Sequence, residues 1–406
     1  MSKKIAEVAL GVVTGIGGFL EVGSLATAIQ GGAEFGFQLG WAVLLGSASL
    51  MILMEASGRL AAVSDRTLID QLRERFGIRF FLLPLVVGFL VSLLVLASEI
   101  GGVSLALQMA TGIRFQLWAL PIAFFAWLLL WRGRFSLVEN GTAVLGLVSV
   151  VFLVGAAALH PRWTSVGAGL IPTRPANEAA RYWYLAVSIL GASISPYLYA
   201  FYSAGAIEDG WTRDDLGVNR ITAFLGNLFG GGLALMTLVV GAMVFLPRHI
   251  HLDAYEQTAL VLTPALAHPG FVFFLATLAI TCFGTTLEIA LAIAYMLAQG
   301  LGWPWSENMR PAADSRFSFT YTAVLFVAAI PVVLGVNVLG LTNISMVLTA
   351  ASLPVTVVPM VVLMNDREVM GASVNRTIGN IALVALAVMS CVILLAAIPL
   401  QLLGGS

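Results

Sequence analysis

The stretch GGFLEVGSLATAIQGG, Gly17 to Gly32, places one carboxylate, Glu21, among glycines inside the first long apolar run of the chain. Gly23 and the hydroxyl of Ser24 follow it directly. A second stretch, SILGASISPYLYAFYSAGAIEDG, Ser188 to Gly210, sets Gly191, Ala192, Ser193, Ser195, Pro196 and Tyr197 in the middle of another apolar run. An acid, hydroxyls and exposed backbone carbonyls are the donors that hold a small ion. An ionisable group at membrane depth costs at least ~2.5 kcal/mol and marks a functional site by default. The plainer reading of Glu21, a pairing with a neighbouring helix, explains the acid but not the glycines beside it.

These residues need elements that cross a bilayer. The 406 residues are 59% hydrophobic and only 10% charged, with a mean hydropathy of +0.97. Soluble domains carry about 25% charged residues, so a soluble fold is excluded. The spacing predicts eleven spans, at about 8–30, 36–62, 80–109, 115–132, 138–159, 182–206, 219–247, 268–299, 318–338, 342–364 and 378–403. Each is near the 20 residues a helix needs to cross the hydrocarbon core. The first run is broken by polar residues and followed by further spans, unlike a cleavable signal peptide.

Gly15, Gly17, Gly18 and Gly23 make an unwound stretch cheap in the first span. Pro196 lacks a backbone donor and clashes with the preceding turn, so the sixth span is expected to break just before it. Interruptions five spans apart are what two inverted repeats with discontinuous helices meeting at the midplane produce. Unwound backbone at that depth is tolerated only where it is buried in protein or lines a wet cavity. The expectation is an all-α integral membrane protein with a LeuT-like 5+5 inverted repeat, eleven transmembrane helices and helices 1 and 6 discontinuous. It would form a single domain over 1–406, with repeats at about 8–159 and 182–364 and an added helix at about 378–403.

The basic residues give an orientation. With Lys3 and Lys4 in the cytoplasm, fifteen of the twenty Lys and Arg fall on that side, which by the positive-inside rule puts the C-terminus outside. The expected location is the cell (inner) membrane. The net charge of −1 says nothing useful about partners, and no basic run is long enough to suggest nucleic acid.

At this point the sequence resembles a family. LEVGSLATAIQGGAEFG and GASISPYLYAFYSA are similar to the first- and sixth-helix motifs of the Nramp metal-ion transporters, D-P-G-N-x-A-T-x-x-Q-A-G-A-x-F-G and G-A-T-x-M-P-H-N-x-x-x-H-S-A. SEIGGVSLALQMATGI and LPVTVVPMVVLMNDREVMG extend the likeness to the third and tenth spans, and so to nearly the whole chain. The resemblance implies a secondary transporter with its ion between helices 1 and 6. It places Glu21 where the family has a ligating Asp, Ser24 at its Asn, the Ala192 carbonyl at its carbonyl ligand and Ser195 at its Met. Tyr197 and Tyr202 stand at its two histidines, Leu96 and Glu99 at its third-helix Asp and Glu, and Met346 at its tenth-helix Gln.

These replacements have chemical content. Exchanging a thioether for a hydroxyl at Ser195 removes a bias toward soft metals. Losing both histidines and one acid removes most of a titratable path. Two substrates stay open. One is a hydrated hard divalent cation such as Mg²⁺, held through Glu21, Ser24 and Ser195. The other is a small oxyanion such as bicarbonate, held by Ser193, Ser195, Tyr197 and the amide groups of the half-helix termini, with Glu21 protonated or paired to a co-transported cation. Glu99, Glu288 and Tyr202 are candidate coupling or relay groups. Glu99 and Glu288 read equally as hydrogen-bond partners of neighbouring helices.

Other features read as structural. Glu55 and Arg59 form an i,i+4 pair. Gly101, Gly102 and Gly230 to Gly232 are small-residue packing faces. Cys282 and Cys391 are small core residues, and Trp41, Trp118, Trp127, Trp131, Trp163 and Trp183 are interfacial anchors. The four histidines (His160, His249, His251 and His268) fall in or beside loops; His249 and His251 lack a third metal ligand. No nucleophile–base pair lies in the spans, so an enzyme is not expected. A channel or a sensor that kept the fold remain as other classes. No cofactor is expected, and the chain is expected to be a monomer in the bilayer.

Overall fold

The computed structural model describes residues 21–132, 146–173, 175, 178–306, 311 and 314–404. The first half of the first expected span, with Gly15, Gly17 and Gly18, lies outside these residues. So do 138–145 of the fifth.

The principal helices are α1 Val22–Phe35, α2 Gly40–Ser64, α3 Leu68–Thr111, α4 Phe115–Arg132, α5 Val151–Ala158, α6 Ala179–Ser193, α7 Pro196–Glu208, α8 Leu216–Val244, α9 Thr263–Leu301, α10 Ser315–Val333, α11 Val338–Ser352, α12 Pro354–Asn365 and α13 Thr377–Gly404. Among the described residues, nine helices or helix pairs are long and apolar enough to cross a bilayer. The sixth span is two helices, α6 and α7, broken where Pro196 required it.

Some boundaries differ from the sequence reading, for local reasons. The third helix starts twelve residues early, at Leu68 rather than 80. Its polar first turns failed the hydropathy pattern, but Thr67 caps them by accepting the Asp70 N–H. Gly77, at φ 75°, turns this stretch out of line with the membrane-crossing part. The eighth helix likewise begins at Thr263 and kinks at Ala267, just before His268 and Pro269. The tenth span is divided at Leu353, where Pro354 opens α12.

Two side-chain expectations are corrected. Trp41 is buried and donates from Nε1 to the Tyr182 hydroxyl at 2.9 Å, an interior bond rather than an interfacial anchor. Cys391 is exposed, because α13 packs on the outside of the bundle with most of its surface free. Cys282 is buried as expected. The small-residue face on α3 does allow close approach: Gly102 touches Cys282 and Val22, and Gly101 touches Val338.

α1 runs through the interior, packed against α8 and α6. α3 and α9 lie along each other on its far side, and α11 contacts α3, α6 and α1. The two interrupted segments therefore meet within a wall made by α3, α9 and α11. At one end of the bundle Arg59 clasps Glu55 at 3.0 Å, as the i,i+4 spacing predicts. It also donates to the Ser373 carbonyl at 2.9 Å and to Asn375 Oδ1 at 2.7 Å. At the other end Arg181 holds Glu34 with two bonds of 2.8 and 2.7 Å.

Candidate functional site

The sixth-span break is short. α6 ends at Ser193; Ile194 and Ser195 have non-helical backbone, and Pro196 takes the first position of α7. In a continuous helix the Ala192 carbonyl would accept from residue 196. Residue 196 is proline and has no N–H, so this carbonyl is left without its helical donor in the protein interior. Ser195, fully buried, lies against the Glu21 carboxylate.

Glu21 itself is extended, at φ −106° and ψ 174°, and α1 begins with Val22. No proline forces this start; side chains make it. The Ser24 hydroxyl accepts the Glu21 N–H at 2.9 Å and donates to the Glu21 carbonyl at 3.0 Å. The Val22 N–H, an orphan of the first helical turn, is bound by both oxygens of Glu99 at 3.1 and 3.3 Å. A carboxylate there also matches the positive end of the helix dipole. The Val22 carbonyl accepts the Tyr255 hydroxyl at 3.1 Å.

One bond joins the start of α1 to the sixth-span break. Tyr197, in the first turn of α7, donates its hydroxyl to Glu21 Oε2 at 2.7 Å. Among the described residues the buried Glu21 Oε1 has no hydrogen-bond partner. Among the described residues neither Glu21 nor Glu99 forms an ion pair with a basic side chain. The Cys282 thiol faces the Glu99 carboxylate. Glu288, half-buried on α9, is within electrostatic reach of Glu99 and Tyr197. The acids here are thus met by hydroxyls, a thiol and a backbone N–H and, among the described residues, by no basic side chain.

α11 closes one side. Met346, fully buried, presses its thioether on the Cα of Gly23 and its own carbonyl on the Cα of Gly191. A side chain at Gly191 would collide with the Met346 backbone carbonyl, whereas one at Gly23 would have to displace the flexible end of the Met346 side chain.

The expected site residues therefore divide. Glu21, Ser195 and Tyr197 come together, with Glu99 on the adjoining Val22 N–H, and Ala192 lies at the end of α6 three residues before Ser195. Gly23 forms the seat of Met346. The Ser24 hydroxyl is engaged by the Glu21 backbone, donating to its carbonyl and accepting its N–H. Ser193 turns toward Gly46 of α2. Tyr202 is farther along α7, bonded to Asn219 Oδ1 at 3.1 Å, and Asn219 in turn donates to the Glu55 carbonyl at 2.9 Å. The contribution of Tyr255 was not foreseen. It lies in a connection between spans, where no periodicity points to it, and its partner is 233 residues away. His249 and His251 line a separate cavity of about 300 Å³ with Glu34, Gln38 and Glu178. Among the described residues no three His, Cys, Asp or Glu side chains are grouped to hold a metal, so any ion in the Glu21 chamber relies on carbonyl and hydroxyl oxygens as well.

A family model described as natural resistance-associated macrophage protein-like (Nramp) matches residues 11–399. The chain belongs to this family. The Nramp resemblance read from the two broken spans is borne out. A relative from Deinococcus radiodurans, called a divalent metal cation transporter MntH, is 25% identical over 372 residues, covering 88% of this chain and 81% of the relative. The Eremococcus coleocola manganese transporter, solved with an aromatic bis-isothiourea substituted compound, superposes with a TM-score of 0.81 at 20% identity, over 98% of this chain and 87% of that one. A nucleobase-cation-symport-1 family transporter gives a TM-score of 0.64 at 15% identity, over 97% and 91% of the two chains. This Nramp member is a multi-pass integral membrane protein with the LeuT-like arrangement of helices expected from its sequence.

Proposed function

We propose that this Nramp-family chain is a secondary transporter that moves a small inorganic ion by alternating access, and that its leading substrate is a hydrated hard divalent cation, Mg²⁺. The observation that carries the reading is the polarity of the chamber. Among the described residues Glu21 Oε1 has no donor and no basic side chain pairs with Glu21 or Glu99, and Pro196 supplies no N–H to the Ala192 carbonyl. Buried acceptors without donors are costly, and a cation is the ligand that satisfies them. Carboxylate, carbonyl and hydroxyl oxygens around an ion that keeps several waters suit Mg²⁺. The names of the relatives, a divalent metal cation transporter and a manganese transporter, agree with a metal-ion substrate. On this reading the two five-span repeats rock around the chamber. The N-terminus is cytoplasmic, and the protein resides in the cell membrane.

Bicarbonate is the second reading. The Tyr197 and Ser195 hydroxyls and the first-turn amides of α7 supply some donors to an anion. Glu21 would then need a proton or a co-transported cation. The α1 terminus counts against it, since Glu99 already takes the anionic position there.

The test uses liposomes loaded in parallel with Mg²⁺, Mn²⁺ and pH dyes. The expected result is Mg²⁺ entry that drops at least about tenfold in Glu21→Gln, the scale of one lost ligand worth about 1.4 kcal/mol. A pH response to added bicarbonate without metal flux would replace this reading by the second. Silence of all three dyes would remove both.

A further inference from the structure

Two charges stand at the wrong ends of their own helices. Glu34 lies in the last turn of α1, at the negative end of its dipole, and Arg181 lies in the first turn of α6, at the positive end. Neither placement helps the helix that carries it, but the two side chains meet. Arg181 Nε and Nη2 donate to the two Glu34 carboxylate oxygens at 2.8 and 2.7 Å. Only 9% of the Glu34 side chain and 21% of the Arg181 side chain are exposed. A two-pronged, part-buried pair is the strong and geometrically fixed form of an ion pair.

The remaining nitrogen reaches a third element. Arg181 Nη1 donates to the Gly404 carbonyl at 3.1 Å, in the last turn of α13, where carbonyls have no intrahelical donor. The Tyr184 ring backs the guanidinium, 5.5 Å from its carbon. The seat is close: a Cβ built on Gly404 would lie 2.6 Å from the Ala180 carbonyl and 2.9 Å from Tyr184 Cβ. α13 is the helix that the 5+5 arrangement leaves over, and it packs on α6, α11 and α12. α1 and α6 are 14 and 15 residues long. At 1.5 Å per residue, Arg181 therefore works about 20 Å from the opposite ends of both, where Glu21 and Ser195 lie together.

We propose that Arg181 is a three-way latch that fastens the far end of α1 and the last turn of α13 to the start of α6, so that the three move as one body when the transporter changes state. The inference rests on the alternating-access reading. It gives the eleventh helix a task, bracing the two half-helices, and makes Arg181 a positioning residue that never touches the ion.

The test is amide hydrogen exchange on the full-length protein in nanodiscs, with Mg²⁺ uptake into liposomes measured beside it. Arg181→Gln is expected to speed exchange at least about tenfold at residues 29–35 and 397–404 together, the scale of losing hydrogen bonds to a charged group. Glu34→Gln, which also serves should the first variant fold poorly, is expected to do so at 29–35 alone, because Arg181 keeps Gly404. In Arg181→Gln the maximal uptake rate per folded protein falls at least about tenfold, while the half-saturating Mg²⁺ concentration stays within about twofold. Exchange that changes in α1 without α13, or in neither, overturns the latch. Faster exchange with an unaltered maximal rate, or with an equal change in half-saturation, overturns its part in transport and the proposal with it. A wild type that carries no Mg²⁺ would instead strike the transport reading, and exchange alone then decides whether Arg181 fastens the three ends.

Discussion

At the sixth-span break one residue of the span itself separates the halves. Pro196 ends the hydrogen-bond ladder, starts α7 and strips the Ala192 carbonyl of its donor in the same step. In the first span the described helix, α1, begins at Val22 without a proline. Its opening is made by groups brought from elsewhere: Glu99 from α3 on the Val22 N–H, Tyr255 from an inter-span connection on the Val22 carbonyl, and Ser24 on the Glu21 backbone. The first kind of break is covalent and permanent. The second is held by hydrogen bonds between elements, so it can be remade when those elements move. On the transport reading proposed above, the two have different parts: α6 and α7 would present a fixed carbonyl, while movement of α3 or of the Tyr255 segment would change the geometry around Glu21 at the start of α1.

Three substitutions break or sharpen that contrast, in order of expected effect. Glu99→Ala leaves the Val22 N–H buried without its partner, at a cost of about 1–3 kcal/mol. It should lower the melting temperature in detergent and cut Mg²⁺ uptake more than tenfold. An unaltered protein by both measures would mean that α1 does not depend on α3. Pro196→Ala restores the missing N–H, so the Ala192 carbonyl regains a helical donor. Ion affinity should fall by about tenfold, the equivalent of about 1.4 kcal/mol, with melting temperature unchanged or raised. Unchanged affinity would take Ala192 out of the site. Tyr255→Phe removes one neutral hydrogen bond worth about 0.5–1.5 kcal/mol. It should alter uptake rate by a few-fold while equilibrium ion binding stays constant. An equal effect on binding would make Tyr255 part of the ion site rather than a holder of α1.

The contrast also explains what the sequence could disclose. Whatever a residue dictates to its own neighbours was readable: Pro196 dividing the sixth span, glycines around Glu21, the Glu55–Arg59 pair four residues apart, and the apolar run lengths. What depends on distant partners was not. The Glu99–Val22 bond spans 77 residues, and nothing in SEIGG distinguishes a helix cap from a relay. Hydropathy alone placed the start of the third helix too late, because a capped amphipathic stretch is helical without being apolar. Side-chain direction was equally hidden. Ser193 and Ser195 are two residues apart in the same break, yet one faces α2 and the other Glu21.

The burial of Cys282 has a practical consequence. The chain has two cysteines, and the exposed one, Cys391, sits on the outermost helix, where a serine replaces it without touching the interior. The remaining thiol, beside Glu99, is a native reporter. On the alternating-access reading, a water-soluble maleimide is expected to reach it only when a passage opens from one face to the acid, and labelling from each side of a sealed vesicle tests that expectation without an engineered probe.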